Sequence, residues 1–215
     1  MLESAFDFKS WTTYFPSPEE VRPKHCPGCQ CASRPPGCPL TLVGHGVVLR
    51  GLWGPVEPRG EPQTCDVRVR RFLCRLCGAV IRVGPRGLVP RRRYGAGAIA
   101  LALALWGLLP PGLQKAGESA EAAIRRRVSP WPIVSPESGS RWLSLHRWLD
   151  AARGGSLDAN KSEGTGQRDP GPTWKPRERA LRFVRAVVAQ SPERSRGSLD
   201  FEQVFRVAHA GGWTV

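Results

Sequence analysis

At 215 residues, with 32 lysines and arginines against 18 acidic residues and a net charge of +14, the chain suits a partner carrying phosphate or another anion. The length exceeds one common domain of roughly 100–150 residues and falls short of two, which predicts small joined modules and excludes the need for one large core. Met1 to Glu20 show no basic start followed by an apolar run, so no secretory signal is expected and the protein is predicted to be cytoplasmic. Seven cysteines, an odd number, in such a reducing compartment point to metal binding before a disulfide framework. With 24 glycines and 21 prolines the arginine excess also fits a compositional bias, and both readings stay open.

In chain order, residues 1–24 carry scattered aromatics (Phe6, Phe8, Trp11, Tyr14 and Phe15) followed by prolines. They predict an extended N-terminal arm packed on the first module. Residues 25–90 are dense in Pro and Gly, and Thr41–Val43, Val47–Leu49 and Val67–Leu73 have the composition of strands in small hairpins, one of them turning at Gly44-His45-Gly46. This half is predicted to be loop-rich and β-leaning.

After Pro90 the pattern changes. Ala96 to Leu109 is apolar on nearly every face and stops at Pro110-Pro111, which predicts a buried helix. Counted from Tyr94 this stretch has only 16 residues, fewer than the roughly 20 of a membrane-spanning helix, so no membrane span is expected. A second helix is predicted over Glu118–Arg127. A third starts at a Ser138 or Ser140 cap, buries Trp142, Leu145, Trp148, Leu149 and Ala152, and ends at Gly154-Gly155. Three short helices over 91–153 are the raw material of a helix-turn-helix. Residues 154–176 are polar and Gly-rich, a predicted flexible linker. A C-terminal helical pair over 177–215 follows: Pro176 opens one helix with Ala180, Leu181, Val184, Val187 and Val188 at helical spacing. Ser198 caps the other, which buries Phe201, Val204, Phe205 and Ala208 and stops at Gly211.

The strongest local signal is the pair Cys26-Pro27-Gly28-Cys29 and Cys74-Arg75-Leu76-Cys77-Gly78. Each CxxC puts two thiolates on one tight turn, and two such turns supply four soft ligands in the closed tetrahedron of a structural Zn²⁺. Cys26, Cys29, Cys74 and Cys77 are therefore the expected ligands. Cys31, Cys38, Cys65, His25 and His45 remain alternatives, and a dithiol redox role for Cys26 and Cys29 lacks the βαβ context it needs. With four thiolates no position is open for water, so the metal would hold the fold and do no chemistry. No Ser/His/Asp order, phosphate-cradling Gly loop or HExxH is present, and no enzyme is expected.

Between Asp66 and Arg93 stand nine arginines (68, 70, 71, 75, 82, 86, 91, 92 and 93) against one acid. Arg68, Arg70, Arg75, Arg91, Arg92 and Arg93 are the expected phosphate contacts, and a solvated strand face is the bland alternative. On the third helix Arg141, Ser144 and Arg147 fall on one outward face suited to a major groove, or simply to solvent. Arg125, Arg126 and Arg127, ending the second helix, complement its dipole.

The order Cys-Pro-Gly-Cys, glycine hairpin, basic strand, second knuckle, then Pro90-Arg91-Arg92-Arg93-Tyr94 leading into an Ala/Leu helix resembles the zinc-ribbon plus helix-turn-helix N-terminal region of bacterial transposases. It is similar also to small bacterial proteins related to that region. Ser140 to Trp148 is similar to their Trp-containing third helix. The resemblance spans residues 25–153 and implies an α+β chain. A small β-rich zinc ribbon would be followed by an all-α helix-turn-helix-like unit; the C-terminal helix pair read from periodicity lies beyond the resemblance. The resemblance implies double-stranded DNA bound at its ends, or an orphan protein derived from a mobile element, and no strand cleavage is expected, since no large acidic catalytic domain follows. The alternative is a protein-interaction module docking on a transposase or on transcription machinery.

Overall fold

A computed structural model describes residues 1–131, 142–153, 175–189 and 201–210. The chain is α+β. A four-stranded sheet in the order β1-β4-β3-β2 occupies its first part: β1 is Leu2–Glu3, β2 Leu42–Gly54, β3 Gln63–Cys74 and β4 Val80–Gly84. β2, β3 and β4 run antiparallel, and β1 pairs parallel with β4. Six helices complete the fold, α1 (Phe8–Tyr14), α2 (Ala96–Leu108), α3 (Ala120–Val128), α4 (Leu143–Arg153), α5 (Pro176–Ala189) and α6 (Phe201–His209).

The N-terminal segment is more ordered than an extended arm. Asp7 caps α1 by accepting from the Ser10 amide at 2.8 Å, and the fully buried Trp11 donates its indole N–H to the Arg68 carbonyl at 2.7 Å. One buried indole of this kind contributes roughly 2–3 kcal/mol, enough to hold a seven-residue helix that could not persist alone. Trp11 joins Phe72, Ile81, Val83, Val67 and Val69 in the core of the β part.

Gly44-His45-Gly46 is not a hairpin turn. The strand runs on through it, and the pairing with β3 shifts register between Gly44 and Val47 as a bulge, with Gly46 at φ +84°. The reversal between β2 and β3 instead lies at residues 55–62.

α2 is buried on almost its whole circumference and is surrounded by α3, α4, α5 and α6. Two glycines set the distances: a β-carbon on Gly97 would lie 2.8 Å from the Phe205 ring, and one on Gly107 would lie 2.9 Å from Leu181. One apolar cluster takes residues from all five helices. The C-terminal pair therefore completes the helical core rather than forming a separate unit.

α3 starts one residue after Ser119, whose hydroxyl caps the Ala122 amide. Glu118 stays outside the helix and pairs with Arg126. Glu121 joins α3 to α4, accepting from the Trp142 amide and meeting His146 Nε2, both at 2.9 Å. Residues 109–119 separate α2 from α3, more than the roughly 3–4-residue turn of a helix-turn-helix, so no tight turn joins these two helices. Trp142 and Trp148 are core residues, packed around Tyr94 with ring centroids 6.0 and 5.0 Å away. Trp53 reaches the same tyrosine from β2 and so ties sheet to helices. No helix among the described residues is long and apolar enough to cross a membrane. The expected caps at Ser138, Ser140 and Ser198, the stop at Gly211, Arg141, and residues 154–174 of the expected linker lie outside the described residues.

Candidate metal centre and basic surface

The two CxxC turns have matching backbones. In the first, the Gln30 amide donates to the Cys26 carbonyl at 2.8 Å and the Cys26 amide to the Cys31 carbonyl at 2.9 Å. In the second, the Gly78 amide donates to the Cys74 carbonyl and the Cys74 amide to the Ala79 carbonyl, both at 2.9 Å. The residue after each knuckle is left-handed, Gln30 at φ +60° and Gly78 at φ +73°. β2 and β3 bring the knuckles together: the Arg75 amide bonds the Thr41 carbonyl, and Leu42 is the register partner of Cys74.

Their sulfurs meet. Cys26 Sγ lies 3.6 Å from Cys77 Sγ, and Cys29 Sγ lies 3.7 Å from Cys74 Sγ. Cys31, an alternative in the sequence, joins them at 3.6 Å from Cys74 Sγ. Cys26, Cys29, Cys31 and Cys74 have sulfurs all within 4.8 Å of one another and can hold a metal ion. Cys38 is exposed, while the half-buried Cys65 on β3 has its pKa raised, first by burial and then by Asp66. His25 pairs with Ala32 in an isolated bridge beside the first knuckle, and His45 sits in the β2 bulge.

The first cysteine of each knuckle is the one that the turn's own amides favour as thiolate. Cys74 is held down to about 6, chiefly by the Cys77 amide and, against burial, by that of Leu76. Cys26 is lowered, first by the Cys29 amide. The second cysteines go the other way. The Ala79 amide lowers Cys77, but hydrogen bonding to Cys74, burial, Cys29 and Cys26 outweigh it and push the thiol up to about 12. Cys29 rises to about 11, its Cys31 amide contact outweighed by the Cys31 thiol and burial.

The arginines divide between two faces of the sheet. Arg68 and Arg70 share one face, as their spacing predicts, but that face carries α1 and its C-cap: both guanidiniums lie 4.1 Å from the Phe15 ring centroid. Arg70 also donates to the Pro16 carbonyl at 2.9 Å and is half-buried, whereas Arg68 stays exposed. Arg82 of β4 is the register partner of Arg71 and belongs to the opposite face. Arg75 is exposed inside the second knuckle. Arg91 and Arg93 are exposed and Arg92 is half-buried, with Arg93 4.8 Å from the Trp53 ring centroid. On α4, Arg147 is exposed and Ser144 half-buried. A run of charge in the sequence thus becomes two separate basic surfaces. Comparison with protein-family models, curated proteins and solved structures finds no match for this chain.

Proposed function

We propose that this is a zinc-stabilised DNA-binding protein, in which Cys26, Cys29, Cys74 and Cys77 hold one structural Zn²⁺ and arginines around the sheet contact the phosphate backbone. The observation that carries the metal reading is the sulfur spacing. Four sulfurs about 2.3 Å from one Zn²⁺ in a tetrahedron lie about 3.8 Å apart, close to the 3.6 and 3.7 Å between the matched knuckles. The same spacing holds for Cys31, 3.6 Å from Cys74 Sγ, and the four sulfurs mutually within 4.8 Å include Cys31 in place of Cys77. The assignment of Cys77 rests on its place in the second CxxC, and Cys31 is then a neighbour of the site. A closed four-thiolate site does no chemistry; it fixes the knuckles and with them Arg75.

The DNA reading rests on the net charge of +14 and on exposed arginines 68, 75, 91, 93 and 147. The resemblance of residues 25–153 to transposase N-terminal regions points the same way. Each neutralised phosphate contributes a slope of about −0.9 in log affinity against log salt. Fluorescence anisotropy on a labelled duplex between about 50 and 200 mM salt is expected to fall steeply, and charge reversal at Arg75, Arg91 and Arg93 to flatten the slope. A wild-type affinity independent of salt, or no binding, refutes this reading.

One observation favours a protein partner instead. Leu76 and Val80 are 67% and 47% exposed beside the second knuckle, and Leu49 is 63% exposed on the edge strand β2. If these residues form the working surface, the arginine variants leave partner capture intact, whereas Leu76→Asp abolishes it.

A further inference from the structure

Away from the cysteines, an open pocket of about 580 Å³ is lined by Arg50, Arg82, Arg91, Arg92 and Arg93. These side chains come from β2, from β4 and from the loop that leads to α2. No carboxylate lines the pocket. Among the described residues none of the five forms an ion pair with an acidic side chain. Its floor is apolar, formed by Val48, Val69 and Pro90.

The fold tolerates a repulsive arrangement to make this surface. Arg71 and Arg82 are direct cross-strand partners, and like charges placed so oppose pairing. The Arg71 Nε is buried with no hydrogen-bond partner. Arg50 bonds the Val89 and Arg92 carbonyls, so it pins the loop bearing the other three arginines against the sheet. Burial lowers its pKa first, and the charge of Arg82 lowers it further. Arg71 itself lies outside the pocket lining; a bound anion would offset the positive charge that Arg82 and Arg50 bring together there.

We propose that this pocket binds the phosphate chain of a nucleoside polyphosphate, either free or as the 5′ end of a strand, with the nucleoside on the apolar floor. Guanidinium forks match phosphate oxygens in pairs. One phosphate monoester carries about −1.5 to −2, so five cations in one pocket suit two or three phosphoryl groups in series. The volume lies within the roughly 300–1,000 Å³ of small-molecule sites. The inference stands on the pocket alone and does not require duplex binding.

The test is calorimetric titration of the full-length, zinc-loaded chain at about 0.15 M salt with excess sulfate present as a competitor. ATP and inorganic tripolyphosphate are the free probes, and a single-stranded oligonucleotide with or without a 5′-triphosphate is the strand probe. The expected result is saturable one-to-one binding of ATP that weakens at least tenfold in Arg82→Glu and in Arg91→Glu, both exposed positions. Arg185→Glu, an exposed change on α5, should leave it unchanged. Tighter binding of the triphosphorylated oligonucleotide than of ATP assigns the site to strand ends; the reverse assigns it to free nucleotide. No saturable binding of ATP or tripolyphosphate, or equal affinities for wild type and Arg82→Glu, overturns the proposal. Retained ATP binding without duplex binding would refute the DNA reading and leave this one standing.

Discussion

Cys31 and Cys77 each lie 3.6 Å from one knuckle sulfur, yet only Cys77 stands at a position held by cysteine in both turns, as the counterpart of Cys29, whereas the counterpart of Cys31 is Ala79. Cys77→Ser is therefore expected to lose the metal, and Cys31→Ser to keep one Zn²⁺ per chain, as read by elemental analysis of the purified variants. Loss in Cys31→Ser with retention in Cys77→Ser would reverse the ligand assignment. The paired CxxC spacing made four of these sulfurs legible in the sequence. Cys31 was open as an alternative beside Cys38 and Cys65; what singles it out is the left-handed turn at Gln30, which returns the chain to Cys26. Among the arginines, position along the chain named Arg91 to Arg93. It counted Arg82 in the same basic run without naming it as a contact and missed Arg50, because strand register makes their shared neighbourhood.

At the scale of elements, β1 offers a pH-sensitive contact. Burial lifts the Glu3 carboxyl from an ordinary 4.5 to about 7, against the opposing pull of the Gly87 amide and the charge of Arg86. The folded state then holds a proton that the unfolded chain has released, so stability should fall as pH rises from about 4.5 to about 7 and level off above it. Allowing for partial exposure, the loss is about 1–2 kcal/mol. Glu3→Gln should abolish that slope in denaturant melts taken across this range. A second contact concerns α2. Replacing Gly97 by Ala gains about 1 kcal/mol of helix propensity but forces a methyl onto Phe205, an overpacking cost of about 1–3 kcal/mol. Because Phe205 is 1% exposed and has no solvent to turn into, a net loss of about 1–2 kcal/mol is expected. Phe205→Leu in the same chain should recover part of it in thermal melts. Most of these elements could be read from periodicity: α2 and α5 start where their sequences suggest. A two-residue strand such as β1 has no periodicity to read, and α1 announced itself only by the Asp7–Ser10 cap.

In the whole molecule the sheet and the helices keep separate apolar clusters, joined around Trp53 and Tyr94. Metal chelation should consequently disorder the knuckles and sheet while the helical signal at 222 nm largely persists; a single loss of both by circular dichroism would mean that the clusters melt as one. The sequence showed that α2 must be buried, since it has no polar face. It could not show by what, because the covering helices α5 and α6 lie beyond a polar stretch that looked like a boundary. That wrapping has a consequence for biosynthesis. α2 leaves the ribosome roughly a hundred residues before α6, so for several seconds at a usual rate of about 5–20 residues per second its glycine-lined side is uncovered. A nascent or prematurely terminated chain ending near residue 153 would present that greasy cylinder to solvent, making it a substrate for holdases and a seed for inclusion bodies.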